Sequence, residues 1–219
     1  MDARSFILAQ HARLHASDVS AEPGTLAERI LGGLTDEQMR QRPGRGLNPL
    51  AWVLWHMARV EDVCVNLVVI DGRQVFDDAW GGRLGIRRWD IGTGMTEDEV
   101  RELAGSLNVA AARAYRSAVG RRTRDIVTLL PLSVWEETIA ASDTARAASA
   151  GAFGPNAAWV EKAWQSVSRA TRLGAAVIAH NAMHLGEAAT IRSQAGLPVG
   201  MCAPPCPRSR RSRSPTCCR

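Results

Sequence analysis

The stretch LAWVLWHMARVEDVCVNLVVI, from Leu50 to Ile70, restricts this chain more than any other, because Leu50, Val53, Leu54, Met57, Val60, Cys64, Leu67 and Val68 fall three or four residues apart. That spacing lines one face of an α-helix and predicts a long helix with this face against a core. Asn48 is placed to cap it, with Pro49 at the first helical position, where a missing N–H does no harm. Such a helix needs partners, and the rest of the chain offers them. Apolar residues recur at helical spacing from about Ala3 to Ala16, from a Thr96/Glu99 capping box to about Leu130, and from near Asn156 to Ala195. Pro131 stops the second of these, and Gly196 with Pro198 beyond it stops the third. A short helix near Thr25 to Leu34 and a turn opened by a Thr35/Gln38 capping box fill the gap between the first two long segments. Alternating, strand-like stretches bounded by turns are hard to find. Four long helical segments without strands predict an all-α helix bundle. Ser142 to Pro155 reads as irregular, as does the Gly- and Arg-rich connection from Asp77 to Gly94, and loops this long are usually functional or mobile.

The formal charge of +5 lies outside this bundle. The segment MCAPPCPRSRRSRSPTCCR, Met201 to Arg219, holds Arg208, Arg210, Arg211, Arg213 and Arg219 and no acid, which accounts for the whole excess of 27 basic over 22 acidic residues. The body is neutral and has no broad basic face for phosphates, so nucleic acid is expected only as a weak contact of the tail. With no apolar periodicity, residues 201–219 are predicted to be disordered, and residues 1–200 to form the bundle domain. Four of the five cysteines, Cys202, Cys206, Cys217 and Cys218, sit in that tail and only Cys64 in the body, so the fold owes nothing to disulfides. The longest stretches without a charge, Val63 to Ile70 and Leu173 to Met183, fall far short of the roughly 20 apolar residues of a membrane span. The apolar run Phe6 to Ala9 is too short for the core of a secretory signal, and the expected location is the cytoplasm.

Chemistry concentrates in the histidines. His180-Asn181-Ala182-Met183-His184 puts two imidazoles one helical turn apart on one face, where both ring nitrogens can reach a metal at about 2.0 to 2.1 Å. A site that leaves one position open needs a third ligand, and His56, one turn from Val53 and from Val60 of the apolar stripe, is the natural candidate. His11 and His15 repeat the same spacing on a short segment interrupted by Gln10 and Arg13. They are expected on a half-exposed face, with a share in the metal site as the alternative. A zincin would need Glu where Asn181 stands, and a di-iron bundle would need Glu three residues before its histidines, which none of the five has. The expectation is therefore a single divalent metal on His56, His180 and His184. Glu187, one turn beyond His184, is placed to orient a ligand histidine or to handle a proton, a surface salt bridge being equally consistent. Trp52 is expected to pack in the core.

The order of WVLWHMARVEDVCVN around His56 and HNAMHLGEAATIRSQAGLP downstream resembles the DinB-like superfamily, which includes mycothiol-dependent maleylpyruvate isomerases and bacillithiol-dependent transferases. The resemblance runs over about residues 1–200, and its specific part is the single histidine followed by the late HxxxH pair. It implies an up-down-down-up four-helix bundle, a divalent metal such as zinc or nickel on His56, His180 and His184, and a homodimer. It further implies a metal- and thiol-dependent S-transferase or isomerase, with mycothiol or a related small-molecule thiol as cosubstrate and an electrophile as substrate. The alternative from another class is a non-catalytic, metal-binding stress-response bundle. The Asp77 to Gly94 insertion and the Arg/Cys tail depart from the family pattern, which bears on the substrate and leaves the histidines alone.

Overall fold

A computed structural model of the chain describes residues 2–42, 44 and 46–198; the expectations for residues 201–219 lie outside these. Among the described residues every regular element is helical, apart from one isolated antiparallel bridge between Thr138 and Ser168. Four long elements carry the core. Helix α1 is Ala3–Leu14, and α2 is Leu50–Asp62 continued as a π-helix over Val63–Val69. Helix α3 is Val109–Leu129, and α4 runs as Arg169–Gly174, a π-helical Ala175–His180 and Asn181–Gln194. Helix α2 packs most extensively on α3 and also touches α4, while α1 lies against α3 and the π-helical part of α4.

The helix starts follow local capping chemistry. Thr25 with Glu28, Thr35 with Gln38, and Thr96 with Glu99 each form the reciprocal box that satisfies two otherwise unpaired N–H groups. Other boundaries differ from the sequence expectation. Helix α2 begins at Leu50 with Pro49 as its cap residue, and the Asn48 side chain reaches Glu187 instead. The segment after Thr96 is two helices, Glu97–Ser106 and α3, because Asn108 accepts from the Ala111 N–H and donates its own N–H to the Leu84 carbonyl. The region from Asn156 breaks near Ser166, which takes a left-handed φ of 61°, and restarts where Ser168 caps Thr171. The two stretches expected to be irregular hold short helices, Asp78–Leu84 and Ala141–Ser149.

Two apolar clusters fill the interior. One gathers Leu50, Trp55 and Met57 of α2 with Tyr115, Leu185 and Ile191. The other gathers Val63, Val65 and Val68 with Trp135, Ile139, Leu173 and Val177. Along α2 the stretch between these clusters carries His56, Arg59, Glu61 and Asp62, all buried. Buried polar groups must find partners, so this polar layer dictates contacts from all the helices around it.

Candidate metal centre

His56 is held from two sides. Its ring stacks on Trp52, with centroids 4.5 Å apart and planes inclined by 13°, and its Nδ1 hydrogen goes to the Ile91 carbonyl at 2.5 Å. That carbonyl belongs to the Gly- and Arg-rich connection, which buried charge holds in place. Asp62 accepts the Val75 and Phe76 N–H groups at 2.8 and 2.9 Å and the Tyr115 hydroxyl at 2.6 Å. Arg59 donates to Asp62, Gln74 and the Trp89 carbonyl. Next to Ile91, Asp90 accepts the Gly92 N–H. Gly92 has φ of 82°, and a Cβ there would lie 2.5 Å from the Trp55 ring, so only glycine lets the chain pass this close.

His180 and His184 come from α4, where the helix returns from π to α. The Asn181 amide donates to the Ala176 and Val177 carbonyls at 3.3 Å each, occupying acceptors beside the widened turn. His180 Nε2 lies 3.2 Å from His56 Nε2. His184 gives its Nδ1 hydrogen to Glu187 at 2.6 Å, and the other Glu187 oxygen accepts from Asn48 at 3.2 Å. Carbonyl and carboxylate oxygens can only accept, so the Nε2 atoms of His56 and His184 are left as bare lone pairs. One ligand atom from each of the three histidines lies within 4.8 Å of the others. Burial pushes His56 down to about 3, with the neighbouring His184 adding to it, and pushes His180 down to about 2, with His56 and His184 adding. For Glu187, burial works to raise the carboxyl, but the hydrogen bond from His184 brings it below its usual value.

This donor set suits a divalent metal. Three neutral imidazoles are nitrogen donors of the kind zinc and its neighbours take, and the 3.2 Å between two Nε2 atoms matches the edge of about 3.3 Å expected of a tetrahedron with bonds of about 2.0 to 2.1 Å. Two of the rings are also oriented through Nδ1 by a carbonyl or a carboxylate, as ligating histidines usually are. In front of them opens a cavity of about 300 Å³, lined also by Trp159, Trp164, Arg172 and Met183. A larger hollow of about 630 Å³ beside Phe76 and Trp89 contains no such cluster.

His11 and His15 correct the sequence expectation. They are 1% and 0% exposed, not half-exposed, and their stacked rings face Glu61, itself 0% exposed. Each Nε2 donates to a different Glu61 oxygen at 2.9 Å. Asn181 adds a third donor at 2.9 Å, and its own oxygen accepts from Arg116 at 3.0 Å. These three side chains also lie close enough to hold a metal, but the carboxylate is already met by three donors with the Arg116 charge nearby, which fits a hydrogen-bonded lock. Among the described residues both Nδ1 atoms lack partners, as does that of His180, whereas those of His56 and His184 are engaged. Trp52 packs in the core as expected. Sequence reasoning missed Glu61, Asn181, Arg116 and the Ile91 carbonyl. The available signal was the run Arg59, Glu61, Asp62 inside an otherwise apolar helix.

The DinB superfamily profile matches residues 24–188, a span that takes in all three histidines of the cluster. No curated protein matches the chain significantly.

Proposed function

The chain belongs to the DinB superfamily, and from that premise we propose that His56, His180 and His184 hold one divalent metal, zinc or nickel, for a thiol-dependent S-transferase or isomerase of the mycothiol-using kind. The observation that carries the reading is the convergence of the three imidazoles at the floor of a cavity, two of them with Nδ1 already committed. A metal there would supply the positive charge that keeps a bound thiol as its thiolate at neutral pH. The chain's own residues do the rest. Ile91 and Glu187 fix the ring orientations of His56 and His184, and Val60, Ile91, Trp159 and Trp164 line the cavity beside them. Both Glu187 oxygens are engaged, by His184 and Asn48, which favours an orienting role over proton handling. Cys64 is buried, and burial pushes its thiol up to about 12, which makes it a poor nucleophile and agrees with an added small-molecule thiol in that role. Metal-loaded protein should speed conjugation of mycothiol to monochlorobimane well above the buffer rate, and His56→Ala should abolish the gain. Rates equal to buffer with several thiols would favour the non-catalytic metal-binding bundle instead.

The same reading places the protein in the cytoplasm as a homodimer, with residues 1–200 as the folding unit. Among the described residues, no helix is long and apolar enough to cross a membrane. Deleting Met201 to Arg219 should leave the thermal melt, the metal content and a dimeric sedimentation coefficient unchanged, while removing any nucleic-acid adhesion. A truncated chain that fails to fold or sediments as a monomer would contradict this.

A further inference from the structure

The three histidines are not oriented in the same way. His56 and His184 each commit Nδ1 to an acceptor, the Ile91 carbonyl and Glu187, whereas His180 Nδ1 is buried and has no partner among the described residues. Apart from the His56 and His184 rings beside it, the aim of the His180 ring depends on the backbone that carries it. That backbone is the end of the π-helical Ala175–His180, and α-helical geometry resumes at Asn181. Single π-turns inside α-helices are rare and often sit at functional sites. The Asn181 backbone N–H reaches the Ile178 carbonyl, three residues back. An α- or a π-turn would give that N–H the carbonyl four or five residues back. Those two carbonyls, Val177 and Ala176, are taken by the Asn181 side-chain amide instead, at 3.3 Å each.

The same side chain is held from two other helices. Its amide also donates to Glu61 of α2 at 2.9 Å, and its oxygen accepts from Arg116 of α3 at 3.0 Å. An amide has two hydrogens, so one meets Glu61 and the other is shared between the two carbonyls. Consecutive residues of a helix point about 100° apart. Asn181, fully buried, therefore faces the Glu61 lock while His180, one residue earlier, faces His56, its Nε2 3.2 Å from that of His56. We propose that Asn181 is a positioning residue of the metal centre: pinned by Glu61 and Arg116, it closes the π-to-α turn and so sets where His180 Nε2 stands, in place of a hydrogen bond to the ring. The inference rests on the reading that His56, His180 and His184 hold a metal.

The test loads the full chain with zinc, its affinity measured by competition against a chelating dye, and separately with cobalt(II), whose visible absorption reports the geometry of its donors. Asn181→Leu, close in volume but without donors, should lower zinc affinity about 10- to 100-fold, the usual range when a group that orients a metal ligand is removed. It should also weaken or shift the cobalt bands. Asn181→Ser, whose hydroxyl can still donate to the carbonyl four residues back, should recover part of both losses. His15→Ala disturbs the lock but leaves Asn181 its carbonyls, Glu61 and Arg116, and should keep the wild-type spectrum. Circular dichroism and thermal melts establish that the variants are folded. A role in stability alone would lower the melting temperature of Asn181→Leu and leave its affinity and cobalt spectrum at wild-type values, a result that would overturn the proposal. So would equal losses in His15→Ala and Asn181→Leu, or no recovery in Asn181→Ser. Should Asn181→Leu not fold, Asn181→Ser decides, since wild-type affinity and spectrum in that variant would count against positioning. A wild-type chain that takes up neither metal would overturn the metal reading and this inference together. Metal lost in His56→Ala but held at full affinity in Asn181→Leu would overturn this inference alone.

Discussion

Replacing His56, His180 or His184 by alanine should each strip the protein of its metal, from about one divalent ion per chain to a small fraction of that. A metal held by these three protein ligands would have no spare donor, and two imidazoles with water would bind it far more weakly. His11→Ala and His15→Ala should keep full metal content in the folded fraction, although the spacing of that pair is identical in the sequence. Glu187→Gln should fall between, lowering affinity about 10- to 100-fold, because His184 would lose the carboxylate that orients its ring. Elemental analysis of gel-filtered protein, with competition against a chelating dye, measures all six variants. Full metal in His56→Ala, or loss in His11→Ala, would mean that the wrong cluster had been chosen.

Removing the carboxylate at Glu61 should be the most destabilising single change outside the apolar core. Glu61→Ala leaves the donors of His11, His15 and Asn181 without an acceptor and Arg116 without its nearby opposite charge, all buried. Breaking a buried charged network from one side costs about 3–5 kcal/mol, which for a chain of this size lowers the melting temperature by roughly 10 °C or more. Glu61→Gln should cost less, about 1–3 kcal/mol, since its oxygen still accepts from one histidine and the other can change tautomer. The same lock makes the fold sensitive to acid. Burial drives His15 down to about 3, with Glu61 opposing and Arg116 and His11 adding, against 6.5 when unfolded. The unfolded state therefore binds more protons below about pH 6.5, and stability falls as pH drops through that window, by up to about 1.4 kcal/mol per pH unit for such a group. For Glu61, burial works to raise the carboxyl, but His15 and His11 hold it well below its usual range, so its contribution is likewise lost towards low pH. Thermal melts of wild type and both variants between pH 7 and pH 5 test this. A melting temperature that does not fall with pH, or is unchanged in Glu61→Ala, would refute the lock.

What could be read along the chain was whatever depends on near neighbours in sequence. The three-and-four spacing from Leu50, the capping boxes at Thr25, Thr35 and Thr96, and the one-turn pairing of His180 with His184 are local geometry, and a helix realises them wherever it lies. The all-helical class follows from the same periodicity. His56 could be added because it sits beside the apolar stripe of its helix, and a buried imidazole needs a partner. The fates of His11 and His15 could not be read this way. Their own helix shows little amphipathic contrast, and the carboxylate that buries them belongs to another helix, 46 to 50 residues away. Asn48 illustrates the same limit, since a side chain suited to accept a helix-opening N–H instead donates its amide to Glu187, brought near by the packing of α4. The π-helical turns and the Ile91 carbonyl on His56 likewise depend on what faces them across an interface. Local spacing sets which side of a helix a residue occupies, but whether a polar group there meets water, a partner or a cavity is decided only when the helices close on one another, because the cost of burying it depends on the partner that arrives.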